Sequence, residues 1–142
     1  MDRERGFEDV IRSEFPQISI VATQYGMADP AKARAASENI LTAHPALDGI
    51  FASTEPSIEG VLLALKSRGL SSKIKSVGFD SSESMIADLR AGHLDAFVVQ
   101  EPYKMGYEAV RTLAEKLKGT DPPRRLDLAA HLVTSENIDS QE

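Results

Sequence analysis

The sequence predicts an α/β fold: a doubly wound, mainly parallel sheet covered by helices on both sides. Three observations carry this. Segments with apolar residues at helical spacing alternate with short strand-like runs, most of those runs are apolar on both faces, and the period changes at Pro, Gly or a capping residue.

Phe7, Val10, Ile11 and Phe15 share one helical face, and Pro16 stops that helix before an alternating strand over residues 18–22. A second helix is expected over about residues 30–42, with Pro30 in its first turn and Asp29 as cap, ending before His44-Pro45. Residues 49–53 read as a short buried strand. Ile58, Val61, Leu62 and Leu65 mark the third helix, Gly69 stands where a left-handed cap is wanted, and residues 74–79 form the next strand. Ser82 can cap a helix carrying Met85, Ile86 and Leu89 up to Gly92, after which residues 96–99 make another compact apolar strand. Tyr103, Tyr107, Val110, Ala114 and Leu117 mark the longest helix, to Gly119. The loop over 119–124, with its Thr-Asp-Pro-Pro, breaks the rhythm, and a last strand over about 126–134 follows without a further helix.

At 142 residues, 42% hydrophobic and 27% charged, the chain has the size and composition of one globular domain. Its net charge of −6, with Lys and Arg scattered, argues against a nucleic-acid partner. With no cysteine, thiolate chemistry and disulfides are excluded. No apolar run approaches the ~20 residues that span a bilayer. The polar start Met-Asp-Arg-Glu-Arg is no signal peptide, so an export signal is expected to lie outside this sequence. His44, His93 and His131 lack metal-ligand spacing, and neither a Gly-x-Ser-x-Gly nor a Gly-rich phosphate loop occurs, so no metal, cofactor or catalytic constellation is expected.

In open parallel sheets, ligands collect beyond the carboxyl ends of the strands. Those ends carry Thr23-Gln24, Ser53-Thr54-Glu55, Asp80-Ser81 and Gln100-Glu101, a set of amides, hydroxyls and carboxylates suited to a neutral polyhydroxylated ligand. Asp80 can also cap the helix that follows it. Phe7, Phe51 and Phe79 are expected in the core rather than against a ligand.

Arg3-x-x-Gly6-Phe7, Leu41-Thr-Ala-His-Pro45 leading to Gly49-Ile-Phe-Ala52, Val77-Gly-Phe-Asp80, and Gly92-His-Leu-Asp-Ala96 to Gln100-x-Pro102 with Gly106 appear in order over nearly the whole chain. In this order and spacing the chain resembles the carboxy-terminal portion of ribose-binding-protein-like members of the type I periplasmic binding family. The resemblance implies a solute-binding component of an ABC-type importer, located outside the cytoplasmic membrane, that binds a sugar and serves a permease. In the family's pattern the Arg, the Asp ending Val-Gly-Phe-Asp and the Gln before Pro touch sugar hydroxyls, which carries over to Arg3, Asp80 and Gln100. Thr54 and Glu55 stand where ribose binders often place Asn, so Thr54 joins the candidate ligand residues, while Glu55 is open between accepting ligand hydroxyls and pairing with an Arg. No aromatic stands near Met27-Ala28, where one can stack on the sugar, so the ligand need not be ribose.

The resemblance also divides the chain: residues 1–100 as part of the carboxy-terminal lobe, 101–131 as a segment that crosses to the amino-terminal lobe, and 132–142 as the returning tail. Without the other lobe, the apolar stripe of the 102–118 helix would be exposed and self-association through residues 102–131 is expected. The effector-binding core of a lactose-repressor-like regulator shares these lobes and is the competing reading; Gly92-His-Leu-Asp-Ala-Phe-Val-Val-Gln100 matches the binding proteins instead.

Overall fold

A computed structural model of the chain describes residues 2–140. In order run α1 (Asp2–Glu14), α2 (Pro30–Ala43), β1 (Gly49–Phe51), α3 (Glu55–Ser67), β2 (Lys75–Phe79), α4 (Glu83–Arg90), β3 (Ala96–Gln100), α5 (Pro102–Leu117), β4 (Ala130–Thr134) and a 3-10 turn (Ile138–Ser140). The sheet order is β1-β2-β3-β4, with β1, β2 and β3 parallel and β4 antiparallel to β3.

Local signals placed the helix ends. Asp29 Oδ1 accepts from the Lys32 N–H at 3.0 Å with Pro30 at the first turn, and that N–H holds the Asp29 carboxyl below its usual range. Ser82 Oγ accepts from the Met85 N–H at 3.4 Å and starts α4. Gly69 follows α3 at φ +63°, the left-handed conformation that glycine adopts without strain.

The register sorts the sheet's two faces. Ile50, Ser76, Gly78, Phe97 and Val133 share one, and α3 and α4 close over it. Ile58, Leu65, Met85, Leu89 and Leu94 are almost wholly buried there. Gly78 permits this approach, because a Cβ on it would lie 2.9 Å from Ile58 Cγ1 and 3.1 Å from Met85 Cε. Gly60 does the same between helices: its absent Cβ would sit 2.5 Å from Arg34 N and 2.6 Å from Ala33 Cβ of α2. The opposite face carries Phe51, Val77, Phe79, Val98 and Leu132. Here α1 lies on the sheet through Phe7, whose ring stacks on Phe51 with centroids 4.6 Å apart. Helices therefore cover both sides, but this second layer is thin. Leu132 stays 55% exposed, and α5 buries none of its residues, leaving Tyr103, Tyr107, Val110, Leu113 and Leu117 in solvent.

Two expected strands differ. Residues 18–22 form no strand: they pair with no neighbouring strand, and an open cavity separates them from β1. The last strand begins at Ala130, not near 126, because its partner β3 ends at Gln100, opposite Ala130, and Pro102 then opens α5.

Candidate functional site

The carboxyl ends of β1, β2 and β3 converge, and Arg3, from the first turn of α1, reaches all three. Its Nη1 donates to the Ser53 carbonyl at 2.9 Å and to Asp80 Oδ2 at 3.1 Å; its Nη2 donates to Asp80 Oδ1 at 3.3 Å and to Gln100 Oε1 at 2.8 Å. The guanidinium lies over the Phe79 ring, 3.7 Å from Cζ to the centroid. Forked donation of this kind is what a planar guanidinium supplies and a lysine does not.

Neighbouring elements hold each partner. Asp80 leaves β2 at φ +68° while its N–H still donates to the Val98 carbonyl at 2.8 Å, so the backbone turns out of the sheet with its carboxylate directed to Arg3. Asp is among the few residues that tolerate this left-handed conformation. Because Ser82 caps α4, Asp80 is not needed there. Ser53 is tied a second time, its hydroxyl donating to Glu4 Oε1 at 2.9 Å, which fixes the first turn of α1 against the end of β1.

Arg3 and Asp80 keep side-chain exposures of 31% and 38%, so solvent and a small solute reach them. The pair leaves little net charge, and Gln100 adds an amide NH2 donor beside it. Such a set donates to and accepts from hydroxyls without favouring an anion or a cation.

Of the residues expected to face a ligand, the structure joins Arg3, Asp80 and Gln100 in one hydrogen-bonded cluster. Thr54 is the residue before α3, and its hydroxyl donates to Ser57 Oγ at 2.9 Å, away from that cluster. Glu55 opens α3, half-buried, with no hydrogen bond to the three. Sequence reasoning missed the Ser53 carbonyl, a main-chain acceptor that no side-chain pattern marks. It also put Phe79 in the core, whereas the ring is half-buried under the guanidinium and unavailable for stacking on that face. Tyr25, two residues before Met27, is 65% exposed and was passed over despite being aromatic. Among the described residues no group of His, Cys, Asp and Glu is arranged to hold a metal ion, and no helix is long and apolar enough to cross a membrane.

Residues 1–121 match the family model described as a periplasmic binding protein domain. The chain is 28% identical over 135 residues to the ribose import binding protein of Escherichia coli, covering 95% of this chain and 45% of that protein. It is 29% identical over 137 residues to a D-apiose import binding protein of Paraburkholderia graminis, covering 95% of this chain and 43% of the other. Among solved structures, an ABC transporter solute-binding protein from Agrobacterium vitis with bound D-fucose superposes with a TM-score of 0.91 at 32% identity, over 98% of this chain and 48% of that one. A carbohydrate transporter solute-binding protein from Agrobacterium radiobacter, in complex with D-arabinose, gives 0.89 at 32% identity, over 95% of this chain and 46% of that one. The chain thus spans less than half the length of these relatives.

Proposed function

Since this chain belongs to the periplasmic binding protein family, we propose that it forms one wall of a sugar-binding cleft in the solute-binding component of an ABC-type importer. The relatives reported above are sugar import and solute-binding proteins, which supports a binding role for this chain. The observation that carries the reading is the Arg3 fork, which gathers the ends of three strands into one polar, nearly charge-neutral patch on a Phe79 platform.

Arg3, Asp80 and Gln100 then contact the ligand, with Thr54 and Glu55 at the margin next to Ser53. In the structure Arg3 bonds to both Asp80 and Gln100. A sugar hydroxyl that donates to Asp80 and accepts from Arg3 replaces part of that network without leaving a buried group unpaired. The charge balance favours an uncharged sugar over a sugar phosphate or acid. The site works outside the cytoplasmic membrane and delivers its solute to a permease.

Residues 1–100 serve as part of a carboxy-terminal lobe, 101–131 cross to a second lobe, and 132–142 return. The exposed apolar stripe of α5 supports the crossing role, since nothing within the described residues covers it. In this chain alone the same stripe is expected to drive self-association, seen as concentration-dependent sedimentation.

One wall of a cleft gives few contacts, so affinity is set at about 1 mM or weaker. The test is a titration of the isotope-labelled chain with D-ribose, D-arabinose and D-fucose, following the Arg3 and Gln100 side-chain N–H signals by NMR. Saturable shifts for at least one sugar, lost in Asp80→Asn, support the site. A well-folded chain whose signals move with none of them at 100 mM, or move equally in Asp80→Asn, refutes it.

A further inference from the structure

Glu101 stands where the chain leaves the sheet. It follows Gln100, the last residue of β3, and precedes Pro102, the first of α5. Its carboxylate makes no capping hydrogen bond to α5. It turns instead toward β4 and α5 at once: Oε1 lies 3.5 Å from His131 Nε2, and Oε2 lies 3.3 Å from Lys104 Nζ. Oε2 is enclosed and accepts no hydrogen bond among the described residues, so this oxygen gains from a neighbouring cation.

His131 sits on β4 opposite Val99, on the face that also carries Phe97 and Val133. The Glu101–His131 contact therefore ties the chain where it departs after β3 to the chain where it returns in β4. Among the described residues His131 has no other hydrogen-bond or ion-pair partner. On the helices over this face, Lys66 and His93 hold Asp88, Glu59 takes the Ser84 hydroxyl, Arg90 holds Asp139, and Glu83 forms no ion pair with His131. Gln100 beside it is uncharged and accepts from Arg3.

Packing does not fix the direction of α5, since none of its residues is buried. Its first turn is closed by the Met105 N–H on the Glu101 carbonyl at 2.9 Å, and it hangs on the Gln100–Pro102 connection and on the Glu101 carboxylate. A contact too weak to matter in the core has leverage here.

We infer that Glu101, His131 and Lys104 form a clasp at the edge of the sheet, which tightens when His131 takes up a proton and fixes the angle at which α5 leaves β3. A neutral imidazole meets the carboxylate with one donor nitrogen at most, and in one tautomer with an acceptor; the imidazolium donates from both nitrogens and adds an ion pair. One carboxylate then holds a cation on each oxygen. Lys104 first and His131 second keep the Glu101 carboxyl below its ordinary range, so it stays ionised between pH 8 and pH 5.5, where a histidine gains its proton. The clasp is closed on the acid side of that transition and loosened on the alkaline side. Because Gln100 adjoins Glu101, the clasp couples solution pH to one end of the proposed ligand site. Its effect on a second lobe rests on the reading of residues 101–131 as the crossing segment, whereas the clasp itself belongs to this chain.

The test is hydrogen exchange of the chain by mass spectrometry, without sugar, at a concentration below that at which α5 self-associates, and corrected for the intrinsic pH dependence of exchange. Peptides over residues 101–107 gain about threefold protection from pH 8 to pH 5.5, the scale of an exposed ion pair, while peptides over α2 do not change. The His131 and Glu101 side chains are 46% and 33% exposed, so substitutions there leave the core intact. His131→Gln and Glu101→Gln abolish the gain, and His131→Lys, a cation at both pH values, shows the protected level at both. Equal protection of the parent at the two pH values overturns the inference, as does a gain that survives in His131→Gln or Glu101→Gln. A His131→Lys chain as unprotected as His131→Gln also overturns it, because the position then acts through shape and not charge. None of these outcomes bears on the sugar titration, which reads Arg3, Gln100 and Asp80→Asn.

Discussion

Replacing Gly60 by Ala tests the packing that positions the whole site, because the same change is stabilising in most helices. Gly in a helix interior costs about 1 kcal/mol relative to Ala, so propensity alone favours the variant by that amount. At Gly60 the added Cβ meets Arg34 N at 2.5 Å, Ala33 Cβ at 2.6 Å and Pro30 O at 2.7 Å. Two of these three are backbone atoms of α2 and its start, so the clash cannot be relieved by a rotamer and α2 has to move as a body. Overpacking of this kind costs about 1–3 kcal/mol. The upper part of that range applies, and after the propensity gain a net loss of about 1–2 kcal/mol is expected. Gly6→Ala in α1, where a Cβ meets nothing within 4 Å, is the matched control and should gain about 0.5–1 kcal/mol. Urea unfolding followed by circular dichroism reads both. With a slope of about 2 kcal/mol/M, the midpoint falls by about 0.5–1 M for Gly60→Ala and rises slightly for Gly6→Ala. A Gly60→Ala midpoint equal to or above the parent would show that α2 and α3 are not held at this distance.

Asp95 accepts the Ser76 N–H at 2.8 Å, and Ser76 is wholly buried, so Asp95→Ala strands a buried amide and should cost about 1–3 kcal/mol in the same assay. Leu65→Ala empties a fully buried position between α3 and the sheet and should cost about 2–5 kcal/mol, with an unchanged urea slope. At Glu101 the Lys104 ammonium first and the His131 ring second hold the carboxyl below its ordinary value of 4.5; Oε2 lies 3.3 Å from Lys104 Nζ, an ion pair without hydrogen-bond alignment. A depressed carboxyl pKa stabilises above the unfolded value and is lost as pH falls through the folded one. Stability between pH 5 and pH 3 should therefore drop less in Glu101→Gln than in the parent, and parallel pH profiles would contradict this.

The alternation of apolar periods made the α/β class legible, and the capping roles of Asp29, Ser82 and Gly69 were readable because each depends on residues within a few positions along the chain. That Arg3, Asp80 and Gln100 belong to one cluster was also legible, from the order of the motifs that carry them. Pairing was not. Residues 18–22 have the pattern of a strand, yet a strand exists only where another backbone lies alongside, and that neighbour is separated from them by the cavity next to β1. The start of β4 at Ala130 likewise depends on where β3 ends, at Gln100, far back along the chain but opposite Ala130 in the sheet. Tertiary structure alone decided that the Arg3 guanidinium rests on Phe79 and takes the Ser53 carbonyl as an acceptor. Side-chain type states what a group can bond to, whereas the partner is chosen by which distant strand ends the sheet brings within hydrogen-bond reach.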